Sequence, residues 1–155
     1  MPAAADPVLL ALHRHGVRRT PMRQAVLGIL LRSPFALARA DIEQQLPVAT
    51  DRITLYRTLR TFEAKGLVHR VLDHSDTMRY AACADALPPD VALPAAATHV
   101  HLKCTACQHI YCLSQVAVPA VTLPAQYRVV RGDHLLLGLC EQCQTAPRPL
   151  EAEQL

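Results

Sequence analysis

Apolar positions in the first 66 residues recur with the period of a helix. Val8 to His15 is a short apolar segment closed by Gly16. Thr20-Pro21 opens the next helix, Thr as N-cap and Pro at the first helical position. Met22, Val26, Ile29 and Leu30 supply its buried stripe, and Ser33-Pro34 ends it. A brief helix from Arg39 to Leu46 stops at Pro47. Thr50 or Asp51 caps a longer one that runs to Lys65, with Gly66 in the C-terminal stop position. There Leu55, Leu59 and Phe62 make one apolar face, while Arg52, Tyr56 and Arg60, flanked by Arg57, make a second. Alternating stretches Leu67–Leu72 and Met78–Cys83 surround the turn-like Asp73-His74-Ser75-Asp76 and predict a β-hairpin. Helices followed by a hairpin is the order of a winged helix-turn-helix.

Residues 84–98 contain three prolines and no periodicity, and predict a linker. Beyond it, His99 to Leu113 and Tyr127 to Leu139 have strand character, while Pro119 and Pro124 argue against a long helix between them. The tail after Cys143 is expected to fray. No internal repeat is present.

Composition sharpens this division. The chain has 155 residues, enough for one ordinary domain or two small ones, and 51% are hydrophobic, enough to bury a core. Residues 1–66 hold ten basic and five acidic side chains, whereas residues 67–155 hold six and eight. A basic front suggests contact with phosphate. No apolar run is long enough for a membrane-spanning helix, and the first residues lack the pattern of a secretory signal. The expected compartment is therefore cytoplasmic, where thiols stay reduced.

Six cysteines then need a use other than disulfides. Cys104-x-x-Cys107 and Cys140-x-x-Cys143 can place four thiolates tetrahedrally around zinc. The 32 residues between the pairs must form a strand-loop-strand excursion. Two pairs without a βαβ context argue against thioredoxin-like redox chemistry, and the His-x-Glu of a zinc deaminase is absent. His99 and His101 alternate on a strand and so share a face, where they can chelate one ion. His69 and Cys83, which flank the same expected hinge, complete a possible second site whose sulfur and imidazole donors suit zinc.

The segments GVRRTPMRQAVLGIL, DRITLYRTLRTFEAKGLVHRV and HVHLKCTAC…GLCEQC resemble the ferric uptake regulator family of bacterial metal-responsive transcription factors. The resemblance spans about residues 8–143. It implies an α+β chain: an N-terminal winged helix-turn-helix at 1–83, a hinge at 84–98, and a small, mostly β, C-terminal α/β domain for dimerisation and metal binding at 99–155. It assigns Cys104, Cys107, Cys140 and Cys143 to structural zinc. His69, Cys83, His99 and His101 fall where zinc-sensing members hold their regulatory ion, which implies one structural and one regulatory Zn²⁺ per chain. Iron, manganese and peroxide sensors use a His and a Glu at places that here look like Ala36 and Ala81.

Several features depart from the family pattern. Thr98 and Val100 stand where a further metal site has ligands, so that site is expected to be missing. Cys112 occupies a frequent Glu-ligand position and is either an alternative ligand or, on balance, a packed thiol. His134 is a weaker ligand candidate, and His109 has no matched role. The segment after Leu113 is short for the family's dimerisation helix, so dimerisation is expected to rest more on strand pairing.

The resemblance implies a homodimer that binds a pseudo-palindromic operator, the helix from Asp51 to Lys65 entering the major groove. Tyr56, Arg52, Thr54, Arg57 and Arg60 would meet the DNA, with Arg19 and Arg23 on phosphates. The expected function is a zinc-responsive transcriptional repressor without enzymatic activity or small-molecule substrate. An iron or manganese sensor, or a zinc-stabilised DNA-binding module that senses nothing, are the alternatives.

Overall fold

The computed structural model of the chain describes residues 6–47, 49, 51–72, 75, 77–83, 99–120, 122–128 and 133–145. The expected linker at 84–98 lies outside them, as do Thr50, Asp73, His74, Asp76, Thr98 and the tail beyond 145.

Helix α1 (Pro7–Arg14) starts where the Asp6 carboxylate accepts from the Val8 N–H at 2.9 Å. It ends at Gly16, whose φ of +60° is a left-handed conformation that glycine adopts without strain. Helix α2 (Pro21–Arg32) is capped by Thr20, as its Thr-Pro start predicts. Its stripe is buried at Val26, Leu27, Ile29 and Leu30, with Met22 partly covered.

A two-residue strand, β1 (Leu37–Ala38), follows; it is too short to leave a pattern in the sequence. Helix α3 (Arg39–Gln45) ends one residue earlier than Leu46. Helix α4 (Arg52–Ala64) is capped by Asp51, whose carboxylate accepts from the Ile53 and Thr54 N–H groups at 3.1 and 3.0 Å. Gly66, at φ +72°, closes it, and the Leu67 N–H returns to the Phe62 carbonyl at 2.9 Å.

The hairpin is β2 (Val68–Val71) and β3 (Arg79–Ala82), and β1 joins it to give the antiparallel order β1-β3-β2. Strand alternation divides this sheet between two cores. Val68, Tyr80 and Ala82 face the helices and join Leu12, Leu27, Ile42, Leu55, Leu59 and Phe62. Val71 and Ala81 face away and join Ala36 and Ile110, with Cys112 and Leu135 packed at the margin.

That second core is where the other sheet begins. The region expected as strand from His99 to Leu113 is two strands, β4 (Val100–Cys104) and β5 (Ile110–Leu113), joined through the first Cys-x-x-Cys. Among the described residues of the expected Tyr127–Leu139 stretch, the strand is β6 (His134–Gly138), parallel to β4, in the order β5-β4-β6. Tyr127 and Arg128 lie outside any strand. A short helix, α5 (Glu141–Thr145), carries the last cysteine. No helix among the described residues is long and apolar enough to cross a membrane.

Leu55 is fully buried between α4 and the rest of the helical core. Leu55→Ala is expected to cost about 2–5 kcal/mol of stability, read by chemical denaturation of the metal-free protein.

Candidate metal centre

The four cysteines of the two Cys-x-x-Cys pairs come together. Cys104 ends β4, Cys107 lies in the following turn, Cys140 precedes α5 and Cys143 lies within it. Their sulfurs all lie within 4.8 Å of one another, and Cys107 Sγ is 3.8 Å from Cys140 Sγ. Four sulfurs bound tetrahedrally to zinc would be separated by about 3.8 Å, so the donor set fits that ion.

The surroundings favour the thiolate at Cys104 and Cys140, whereas hydrogen bonding to Cys140 pushes the Cys143 thiol up to about 12. The Cys140 N–H points at Cys104 Sγ, 3.4 Å away. Backbone N–H groups of Cys107 and Cys140 pull the Cys104 thiol down to about 6. The Tyr111 hydroxyl bonds to Cys140 and lowers its thiol too. No cysteine in the chain is disulfide-bonded. The turn is closed by the Cys104 N–H on the His109 carbonyl at 2.9 Å, with Gln108 at φ +63° between them. The Thr105 N–H on the Gly138 carbonyl at 2.8 Å ties it to the end of β6.

A second group lies in the seam between the two sheets. His69 Nε2 is 3.1 Å from His99 Nε2, 3.3 Å from His101 Nε2 and 3.5 Å from Cys112 Sγ. Tetrahedral zinc would separate two nitrogens by about 3.3 Å, and a nitrogen from a sulfur by about 3.5 Å. These four donors lie within 4.8 Å of one another. No carboxylate among the described residues belongs to the group, whose imidazole and sulfur donors suit zinc better than the oxygen-preferring manganese, magnesium or calcium.

Strand register accounts for the membership. His101 on β4 pairs directly with Cys112 on β5, so both side chains stand on one face, His99 beside them. His69 stands on the outward face of β2, the face that carries Val71. His134 pairs with Val100, which alternates to the opposite face from His101, and lies outside the group. Cys83, expected as a ligand, sits instead at the other ring nitrogen of His69, Nδ1, at 3.6 Å. Cys112, expected on balance to be a packed thiol, is one of the four convergent donors.

Protonation follows from burial. Desolvation, then the neighbouring His99 and His101, hold His69 at about 4. Desolvation and His99 hold His101 at about 4 against the opposing pull of Asp133, and burial lowers His99 as well. Burial and the nearby Cys83 push the Cys112 thiol up to about 12. The three imidazoles are thus neutral donors at neutral pH.

Most of the residues expected to meet DNA lie on α4. Arg52, Thr54, Tyr56, Arg57 and Arg60 are exposed, while Leu55, Thr58, Leu59 and Phe62 are buried. Arg60 Nη1 donates to the Tyr56 hydroxyl at 3.3 Å, and its guanidinium lies 5.9 Å from that ring's centre. The Thr54 hydroxyl is committed to the Asp51 cap at 2.9 Å, and Arg52 approaches Glu43 at 3.9 Å. Arg19 is exposed before α2; Arg23 reaches the Arg18 carbonyl at 3.0 Å. Ile53, 59% exposed, also faces outward between Arg52 and Thr54, off the buried stripe.

Fold and donor groups together define a winged-helix protein built to hold metal. The sequence profile of the ferric uptake regulator family matches residues 14–128, and the chain belongs to that family of metal-responsive transcription regulators rather than to any class of enzyme. Members act as DNA-binding dimers.

Solved structures share the fold. The Helicobacter pylori ferric uptake regulator, described with three functional metal binding sites, is 18% identical at a TM-score of 0.54, over 90% of this chain and 91% of that one. A zinc-bound manganese uptake regulator is 17% identical at 0.57, over 87% and 99%. The Vibrio cholerae ferric uptake regulator is 17% identical at 0.52, over 84% and 98%. No curated protein matches the chain in sequence.

The depressed imidazoles make a signed prediction. Unfolded histidines titrate near 6.5, so between about 6.5 and 4 the unfolded chain binds more protons than the folded one. The contribution to stability is intact above 6.5 and is lost as pH falls toward 4. Thermal melts of metal-free protein across that window should show the decline, and His101→Gln should flatten it.

Proposed function

We propose that this chain is a zinc-responsive transcriptional repressor that binds a pseudo-palindromic operator as a homodimer. The observation that carries this reading is the convergence of His69 from the winged helix with His99, His101 and Cys112 from the second sheet. We assign the winged-helix domain to 1–83, the hinge to 84–98 and the dimerisation and metal-binding domain to 99–155. The compartment is the cytoplasm, in keeping with six free thiols.

Cys104, Cys107, Cys140 and Cys143 hold the structural zinc. The regulatory zinc is held by His69, His99, His101 and Cys112, where it supplies bonds that join the two sheets. Cys83 accepts the Nδ1–H of His69, a partner of the kind that orients metal-bound imidazoles. Cys112 gives up its proton on binding. With His69 held against β4 and β5, the winged helix takes one angle relative to the dimer interface. If DNA is bound at that angle, metal and operator favour one another, and a coupling of about 1–3 kcal/mol corresponds to roughly 5- to 150-fold in DNA affinity.

The edge strand β6 exposes Leu136 and Leu137, at 53% and 69%, and offers a surface for the second copy. On α4, Tyr56, Arg57, Arg60 and Arg52 face the major groove, with Arg19 and Arg23 on the backbone.

Two measurements test this. In zinc-buffered titrations the wild type should take two ions per chain, one resisting chelation and one reversible. Cys112→Ala should abolish the reversible ion, whereas Cys83→Ala should weaken it by about 10- to 100-fold without abolishing it; the reverse pattern would make Cys83 the ligand. On an operator selected from a random duplex pool, zinc should tighten binding, and Arg57→Ala should weaken it by about 1–3 kcal/mol in zinc if that side chain reads a base. DNA affinity indifferent to zinc would leave a zinc-stabilised DNA-binding module.

A further inference from the structure

The winged-helix half supplies one donor to the mixed group, His69, while the β4–β5 hairpin supplies the other three. How tightly the group holds an ion therefore depends on how firmly β2 is seated against that hairpin beforehand. Away from the donors the two halves meet at a second place. The Phe35 ring, in the turn between α2 and β1, stacks on the His109 ring, with centroids 3.8 Å apart and planes 6° from parallel. Tyr111 meets Phe35 edge-on at 6.0 Å. The next residue, Ala36, donates its N–H to the Ile110 carbonyl at 2.8 Å. His109 is itself anchored, because its carbonyl accepts from the Cys104 N–H in the cysteine turn.

We propose that Phe35 and His109 are positioning residues for the mixed His/Cys group: their stack seats the winged helix on the β4–β5 hairpin and so sets the zinc concentration at which the group fills. This rests on the sensor reading above. An ion binds all four donors only in the seated arrangement, so its apparent affinity scales with the fraction of molecules seated. Removing one stacked aromatic pair lowers that fraction enough to weaken binding by about three- to tenfold. Neither residue is a donor.

The test is a zinc titration against a chromophoric chelator, on full-length protein with the four-cysteine site filled. Phe35→Leu and His109→Ala should move the midpoint of the second ion to about three- to tenfold higher free zinc. Phe35→Tyr and His109→Phe, which keep a ring in place, should restore it, and every variant should retain the chelation-resistant ion. Unchanged midpoints in both Phe35→Leu and His109→Ala would overturn the proposal. Should His109→Ala also lose the resistant ion, Phe35→Leu, which leaves the cysteine turn itself unaltered, decides the matter. A wild-type chain that takes no second ion would refute the sensor reading and this proposal together, a result distinct from a second ion indifferent to the stack.

Discussion

The outward face of the β2–β3 hairpin has to be covered, because strand alternation puts Val71 and Ala81 there while Val68 and Tyr80 fill the helical core behind. Ala36, Ile110, Leu135 and Cys112 provide the cover. His69 stands on that same face, so an imidazole is pressed into an apolar seam, and desolvation keeps it neutral. A buried imidazole needs polar partners, and the second sheet brings His99, His101 and Cys112 to the same nitrogen. The mixed donor group is thus a product of how the sheets pack. Its members are assembled by the contact that orients the winged helix.

Much of this was legible in the residues. Thr20-Pro21, Asp51 and Gly66 mark helix ends by local chemistry that tertiary contacts do not override, and the caps form as written. Each Cys-x-x-Cys pair draws its own two sulfurs together through spacing, and the parallel β4–β6 pairing brings the two pairs to one place. What stayed hidden depends on partners distant in the chain. β1 is two residues long and exists only because β3 lies beside it. The membership of Cys112 rests on its register opposite His101, and the exclusion of His134 on its register opposite Val100. Cys83 and Cys112 could not be ranked by type, because both are thiols near one imidazole. They differ only in which nitrogen of His69 each one meets.

The Phe35–His109 contact shows the same limit from another side. Neither residue carries a motif, and His109 lies two positions beyond Cys107, where its ring reads as an incidental neighbour of the cysteines. Gln108 holds the left-handed conformation that turns the chain there, an uncommon choice for a residue with a side chain. That turn brings the histidine ring flat against Phe35. One loop therefore faces two ways, gathering sulfurs on one side and meeting the winged helix on the other.

The two donor groups also separate by position, which bears on how a metal regulator must be built. All four cysteines belong to the second sheet and the short helix after it, so an ion among them stabilises that half whatever the angle of the winged helix. A ligand with equal affinity for two arrangements shifts nothing between them, however tightly it binds. The mixed group has donors on both sides of the seam, and its four atoms converge only while the seam is closed. Binding there is differential by construction. On the proposed reading, thiolate-rich chemistry would make the first group tight, and straddling the contact would let the second communicate. Three of its donors lie on or beside the β4–β5 hairpin, so an ion's preference for the closed arrangement would rest on the one donor from the other side, His69.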